Sequence, residues 1–231
     1  MFITRLSILG LKLAASLWLL ISAQASATEN TSEVDSLLRV NKEEMKEVRD
    51  ALTQLLFLTP ANCGRMLVRP SSAPEHAVAV YSRHNSAYYV SATAASTSVW
   101  LALDKRQQAI SEIKVKRWDA RIPPSTALAI KSLWKSSLDH VGDTNLAPYS
   151  LEPLDATIVE FSLRAKGQRR VGELPPEPGK HMTDLEQIGL LLSEYAKSPK
   201  AQRSLLAEKI ERDANELLKQ MRERKREDVS L

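Results

Sequence analysis

Few residues in this chain have the type and spacing for chemistry. There is one cysteine, Cys63, and there are four histidines, His76, His84, His140 and His181. A thiol nucleophile needs a base beside it. Nothing next to Cys63 in sequence supplies one, so it reads as a small buried or inert thiol. A single cysteine also excludes an internal disulfide framework. His76 and His84 fall at opposite ends of one candidate strand. Eight residues at about 3.3 Å each hold them roughly 26 Å apart, too far to share a metal. His181 with Asp184, and His140 with Asp143, lie near helix ends, where capping and helix-terminal charge account for them. No phosphate-binding glycine loop, G-x-S-x-G elbow, H-E-x-x-H or paired C-x-x-C occurs. Seven glycines leave little material for tight ligand-cradling loops. No catalytic residue, metal ligand or cofactor is therefore assigned.

The basic and aromatic residues offer more. Lys114, Lys116, Arg117 and Arg121 surround one strand end, and Arg164, Lys166, Arg169 and Arg170 surround a hairpin turn. Guanidinium groups bind phosphate and carboxylate oxygens bidentately. Lys114, Lys116, Trp118, Arg121, Arg169 and Arg170 together form the candidate binding residues for an anionic envelope component. The competing explanation is a solvated strand face with charged edges that discourage aggregation. Trp118 shares parity with Lys114 and Lys116, which points Arg117 inward if the strand is straight. Either the strand ends or bulges near Lys116, or Trp118 and Arg121 present a contact surface.

The first 27 residues have the order of a secretory signal peptide. Arg5 and Lys12 supply positive charge, Leu13–Ile21 an apolar run, and Ala25-Ser-Ala27 a small-residue cleavage site. Cleavage before Thr28 removes two cations and lowers the formal charge from +4 to +2. So small a charge gives little reason to expect nucleic-acid binding. A periplasmic or secreted location follows, with no transmembrane segment after cleavage. The expected organisation is a signal peptide (1–27), an N-terminal helical segment (28–58), an α+β domain (59–197) and a charged C-terminal helix (198–231).

These candidate residues must be positioned by the elements between them. Val48, Leu52, Leu55 and Leu56 continue a helical pattern that begins near Glu33, with Asn41 and Glu44 as an internal capping box. Alternation predicts strands over 76–83, 87–93, 97–103 and 110–118, and a hairpin of 155–164 with 169–174. Pro123-Pro124-Ser125 opens a helix striped by Leu128, Ile130, Leu133, Trp134, Leu138 and Val141. Thr183 with Glu186 suggests the start of another helix, and Ser198-Pro199 the start of the last. The expected fold is α+β, an antiparallel sheet of about five or six strands with helices packed on one face, plus a charged C-terminal helix. In that last helix, Ile210, Ala214, Leu217 and Met221 form a narrow seam at coiled-coil spacing. The seam suggests an arm for association, with packing back onto the domain as the alternative.

Taken together the chain reads as an exported soluble binding protein, its partner a protein or an anionic envelope component. A small envelope hydrolase or transferase with a non-linear site is one alternative. An inhibitor or immunity-type protein that masks an envelope enzyme is the other.

Overall fold

The computed structural model describes Leu37, residues 46–57, 62–83, 87–104, 109–139, 141, 157–165, 167–175 and 177–229. The signal peptide, the capping box at Asn41, the turn at His84-Asn85, and His140 with Asp143 lie outside the described residues.

Six strands form one antiparallel sheet: β1 (Gly64–Arg69), β2 (His76–Ser82), β3 (Tyr88–Ala95), β4 (Val115–Ile122), β5 (Ile158–Ala165) and β6 (Gln168–Glu173), in the order β4-β3-β2-β1-β5-β6. The helices are α1 (Lys46–Leu56), α2 (Val99–Asp104), α3 (Pro124–Asp139), α4 (Lys180–Lys197) and α5 (Lys200–Val229). This is the expected α+β architecture. The front face of the sheet is packed by α3 and α4, and α5 lies across those two helices. The back face is also covered, by α1 and α2, which build a smaller core from Val48, Leu52, Leu56, Leu67, Ala77 and Val99.

The alternation of β2 and β3 follows directly from this layering. Val78, Val80, Val90 and Ala92 enter the front core, while Ala77 faces α1. β1 is the element that pattern does not announce. It is a central strand covered on both sides, with Met66 and Val68 to the front and Leu67 to the back, so its residues do not alternate cleanly between apolar and polar. Gly64 opens it at φ 128°, and a Cβ there would overlap the Trp134 ring, so the position needs glycine for both conformation and space.

Three expected elements differ. The segment 97–103 is not a strand but contains α2. The buried carboxylate of Glu75 accepts from the backbone N–H groups of Val99 (2.7 Å) and Trp100 (2.9 Å), and Ser98 Oγ accepts from Leu101 N–H (3.3 Å). A carboxylate distant in sequence thus satisfies the helix start. The next strand begins late, at Val115, after a 3-10 turn over Ile110–Glu112, and continues to Ile122. α4 begins one turn before Thr183, with Gly179 as its N-cap, so Thr183 is a helical residue rather than the cap.

The seam of α5 belongs to the core. Ala207, Ile210, Ala214, Leu217 and Leu218 are buried against α3 and α4. Ser125 and Thr126 of α3 donate to Glu211 at 2.8 and 2.9 Å. The apolar seam is therefore not presented to a partner, contrary to the expected association arm.

Candidate functional site: an arginine row on the back of the sheet

The sequence-predicted binding residues do not converge. β4 and β6 are the two edges of the sheet, five strand spacings or about 24 Å apart. Lys114 precedes β4, and its carbonyl accepts from Ser96 N–H at 2.8 Å. Lys116 and Trp118 lie on the front face, as their parity with the buried Ala120 and Ile122 requires. Arg170 also lies on the front side, paired with Asp139 of α3. Arg121 and Arg169 are on the back face, at opposite edges. The six residues thus do not form a common site.

The bulge proposed near Lys116 is absent from β4, whose pairing with β3 runs unbroken from Val115–Ala95 to Ile122–Tyr88. Arg117 does point inward, and it is accommodated because α1 ends there. Its guanidinium donates to the Leu56 carbonyl at 3.5 Å, where a helix C-terminus favours a cation. Trp118 packs against the front core with the Lys197 ammonium 5.2 Å above its ring. Trp118 is therefore not a free contact surface.

What the register does assemble is a row of arginines at one end of the back face. Directly paired residues in an antiparallel sheet share a face. Arg121 stands opposite Tyr89, and Tyr89 opposite Tyr81. One step along the strands, Ser91, Ala79, Arg65 and Ser162 follow one another from β3 to β5. Arg164 stands opposite Arg169. Arg83, just past β2, lies with its guanidinium 4.7 Å over the Tyr89 ring and 5.7 Å over that of Tyr81. Arg83, Arg121, Arg164 and Arg169 are exposed, and Arg65 is half-buried beside Phe57, 4.6 Å from its ring centre. Asp119 is an exposed acid at this end, and it accepts from the Tyr81 hydroxyl at 3.4 Å. Burial and Asp119 push the Tyr81 hydroxyl above its usual pKa. Burial, and then the neighbouring Arg169, make the charged form of Arg65 less favourable than usual, with Glu160 opposing them.

Beneath the row an ion-pair network ties α1 to the sheet. Glu160, 2% exposed, lies 3.2 Å from Arg49 Nε and accepts from Arg169 Nη2 at 3.0 Å. Glu173 accepts from Arg69 at 2.8 Å and lies 3.7 Å from Arg49. Removing one partner of a buried pair strands the other charge, at a cost of about 3–5 kcal/mol. Glu160→Ala is expected to lose stability in that range, measured by urea unfolding. A loss under about 1 kcal/mol would give the network only the strength of an exposed pair.

Cys63 lies in the front core, 2% exposed, with its thiol 3.5 Å from Asn62 Oδ1. Burial raises its pKa, and Lys131 opposes this less strongly. The thiolate is the reactive form, so a raised pKa suppresses reactivity at neutral pH. A thiol reagent at about pH 8 is expected to label Cys63 slowly in the native protein and rapidly in denaturant; a fast native phase would mark an accessible, activated thiol. Burial and then Lys197 hold the His76 pKa below its usual value, with a hydrogen bond to the Pro74 backbone opposing them. His76 lies in an open groove of about 470 Å³ with Ser193, Glu194 and Lys197. Among the described residues no group of three or more His, Cys, Asp or Glu is placed to hold a metal.

The arrangement defines an α+β protein with a one-sided guanidinium row. No family model, curated protein or solved structure matches the chain, so the row is interpreted on its own chemistry. Sequence inspection missed Arg65 and Arg83 because they are isolated in the chain and only strand register brings them to the row. The position of Arg65 becomes legible only once Gly64–Arg69 is recognised as a strand.

Proposed function

We propose that this chain is an exported, soluble binding protein of a bacterial-type cell envelope, and that it holds an anionic envelope component on the back face of its sheet. The observation that carries the binding site is the placement of Arg65, Arg83, Arg121, Arg164 and Arg169 at one end of that face. Those guanidinium groups supply planar, bidentate donors for phosphate or carboxylate oxygens. Export is supported by the charge, apolar run and Ala-x-Ala order of residues 1–27. No helix among the described residues is long and apolar enough to cross a membrane. The mature form would begin at Thr28 and reside in the periplasm or outside the cell.

The test is equilibrium binding of the chain from Thr28 onward to immobilised dextran sulfate, with neutral dextran as the reference. Hydrogen bonds to charged groups contribute ~1.5–3 kcal/mol each, so Arg83→Glu with Arg121→Glu is expected to weaken retention at least about tenfold. Lys200→Glu with Lys219→Glu makes the same change in net charge on α5 and is expected to leave retention nearly unchanged. Equal losses in the two double variants would mean that net charge, not the row, governs binding. N-terminal sequencing of exported protein tests the first step, and a chain that retains Met1 and stays with the membrane after alkaline washing would refute it.

A further inference from the structure

We infer, resting on that reading, that the ligand is a linear polyanion laid across the strands, a polymer bearing repeated phosphate or carboxylate groups. The row is long and narrow. From Arg121 on one edge strand to Arg169 on the other it spans about 24 Å, with a cation on four of the six strands and Arg83 just beyond the end of a fifth. A single small anion would engage two or three neighbouring guanidiniums and leave the rest unused. The opposite side of the row is closed off by α1, whose C-terminal carbonyl accepts from Thr93 and Arg117. The cations therefore form a line rather than a patch.

The crowding of like charge along this line supports the same conclusion. Arg164 and Arg169 are direct cross-strand partners, an arrangement that opposes sheet stability. Arg121 and Arg164 make no ion pair among the described residues. A chain of anions would relieve this repulsion at several points simultaneously, with release of its counterions.

Two other polyanionic surfaces fit less well. A membrane-binding face inserts apolar side chains between head groups. The large apolar side chains that are exposed among the described residues, Leu128 and Leu205, lie on α3 and α5, away from the row. Single-stranded nucleic acid uses free aromatic rings as stacking platforms. Tyr81 and Tyr89 instead stack on each other at 5.7 Å, under the Arg83 guanidinium, and Tyr81 is buried.

The experiment is titration calorimetry of the chain from Thr28 onward with tripolyphosphate, long-chain polyphosphate, polygalacturonate, a single-stranded oligonucleotide and vesicles of phosphatidylglycerol. Affinity per chain is expected to rise with polymer length until the row is spanned. The comparison of polyphosphate with polygalacturonate then separates phosphate from carboxylate polymers as the preferred source of charge. Arg121→Gln and Arg164→Gln, near opposite ends, are each expected to weaken long-polymer binding about threefold or more and make its salt dependence shallower, with a smaller loss for tripolyphosphate, which contacts only part of the row. Equal affinity for tripolyphosphate and long polymer would overturn the linear ligand but leave anion binding standing. Tighter binding of the oligonucleotide or the vesicles than of either polymer would also overturn it. No binding to any of the anions would remove both this inference and the reading beneath it.

Discussion

Trp134→Ala is expected to lower the free energy of unfolding by about 3–5 kcal/mol, the range for removing a fully buried aromatic ring. Trp134 is 0% exposed and lies 6.1 Å from the Phe161 ring, between α3 and the sheet. Its ring also occupies the space left by the missing side chain of Gly64. The two positions are therefore one packing unit. Gly64→Ala is expected to destabilise the protein comparably, because the new methyl group must displace the ring and the backbone must hold φ 128° with a side chain attached. The indole N–H is buried without a hydrogen-bond partner, so Trp134→Phe is expected to cost less than Trp134→Ala, since it also removes an unsatisfied donor. Urea unfolding of the three variants checks the set. A Trp134→Ala midpoint within error of the parent would mean that this helix face is not packed as described.

The ease of predicting Trp134 and the difficulty of predicting the arginine row have the same physical origin. Ile130, Leu133, Trp134 and Leu138 repeat at the helical period within one segment, and all four are buried. Periodicity reports which face of an element is buried, and that needs no knowledge of the partner. The same holds for Val78, Val80, Val90 and Ala92. It fails where a distant group decides the local structure. Val99, Leu101 and Leu103 alternate as a strand would, yet Glu75, more than twenty residues earlier, caps a helix there. Ser98 was the local sign of that helix start, of the type that caps helices. Trp118 and Arg117 misled for a related reason. Their alternation implies one wet face, whereas α4 packs on the front of this edge strand and the end of α1 meets Arg117 at its back. The arginine row depends on register, which fixes neighbours across strands and leaves no pattern along any one of them. Arg121, Arg164 and Arg169 were visible as local charge clusters. Their shared face, and the place of Arg65 and Arg83 beside them, followed only from pairing.

Removal of Lys200–Leu231 is expected to leave a chain that does not fold stably. The apolar side chains that α5 contributes to the core include Ile210, Leu217 and Leu218, each 7% exposed or less. Full burial of such side chains contributes about 1.5–3 kcal/mol each, so three of them rival the whole of a typical domain's 5–15 kcal/mol. The truncation also exposes what they cover. Ala127 and Ile130 of α3 and Ile188 and Leu192 of α4 are buried in the core cluster that α5 completes. The hydrogen bonds that the Ser125 and Thr126 hydroxyls donate to Glu211 at the start of α3 are lost with it. A truncated chain with that apolar surface in water is expected to aggregate or to show no cooperative thermal transition. The solution mass and melting curve of the shortened chain, beside those of the chain from Thr28 onward, decide the matter. A soluble, cooperatively melting product would show that α5 is a separable arm after all. A milder change tests the same contact without deleting the helix: Ala214→Glu places a charge at a position that is 0% exposed, and is expected to destabilise the domain while leaving the helix's outer charged face intact. If the truncation fails and Ala214→Glu melts like the parent, the stabilising contribution of α5 lies outside this seam.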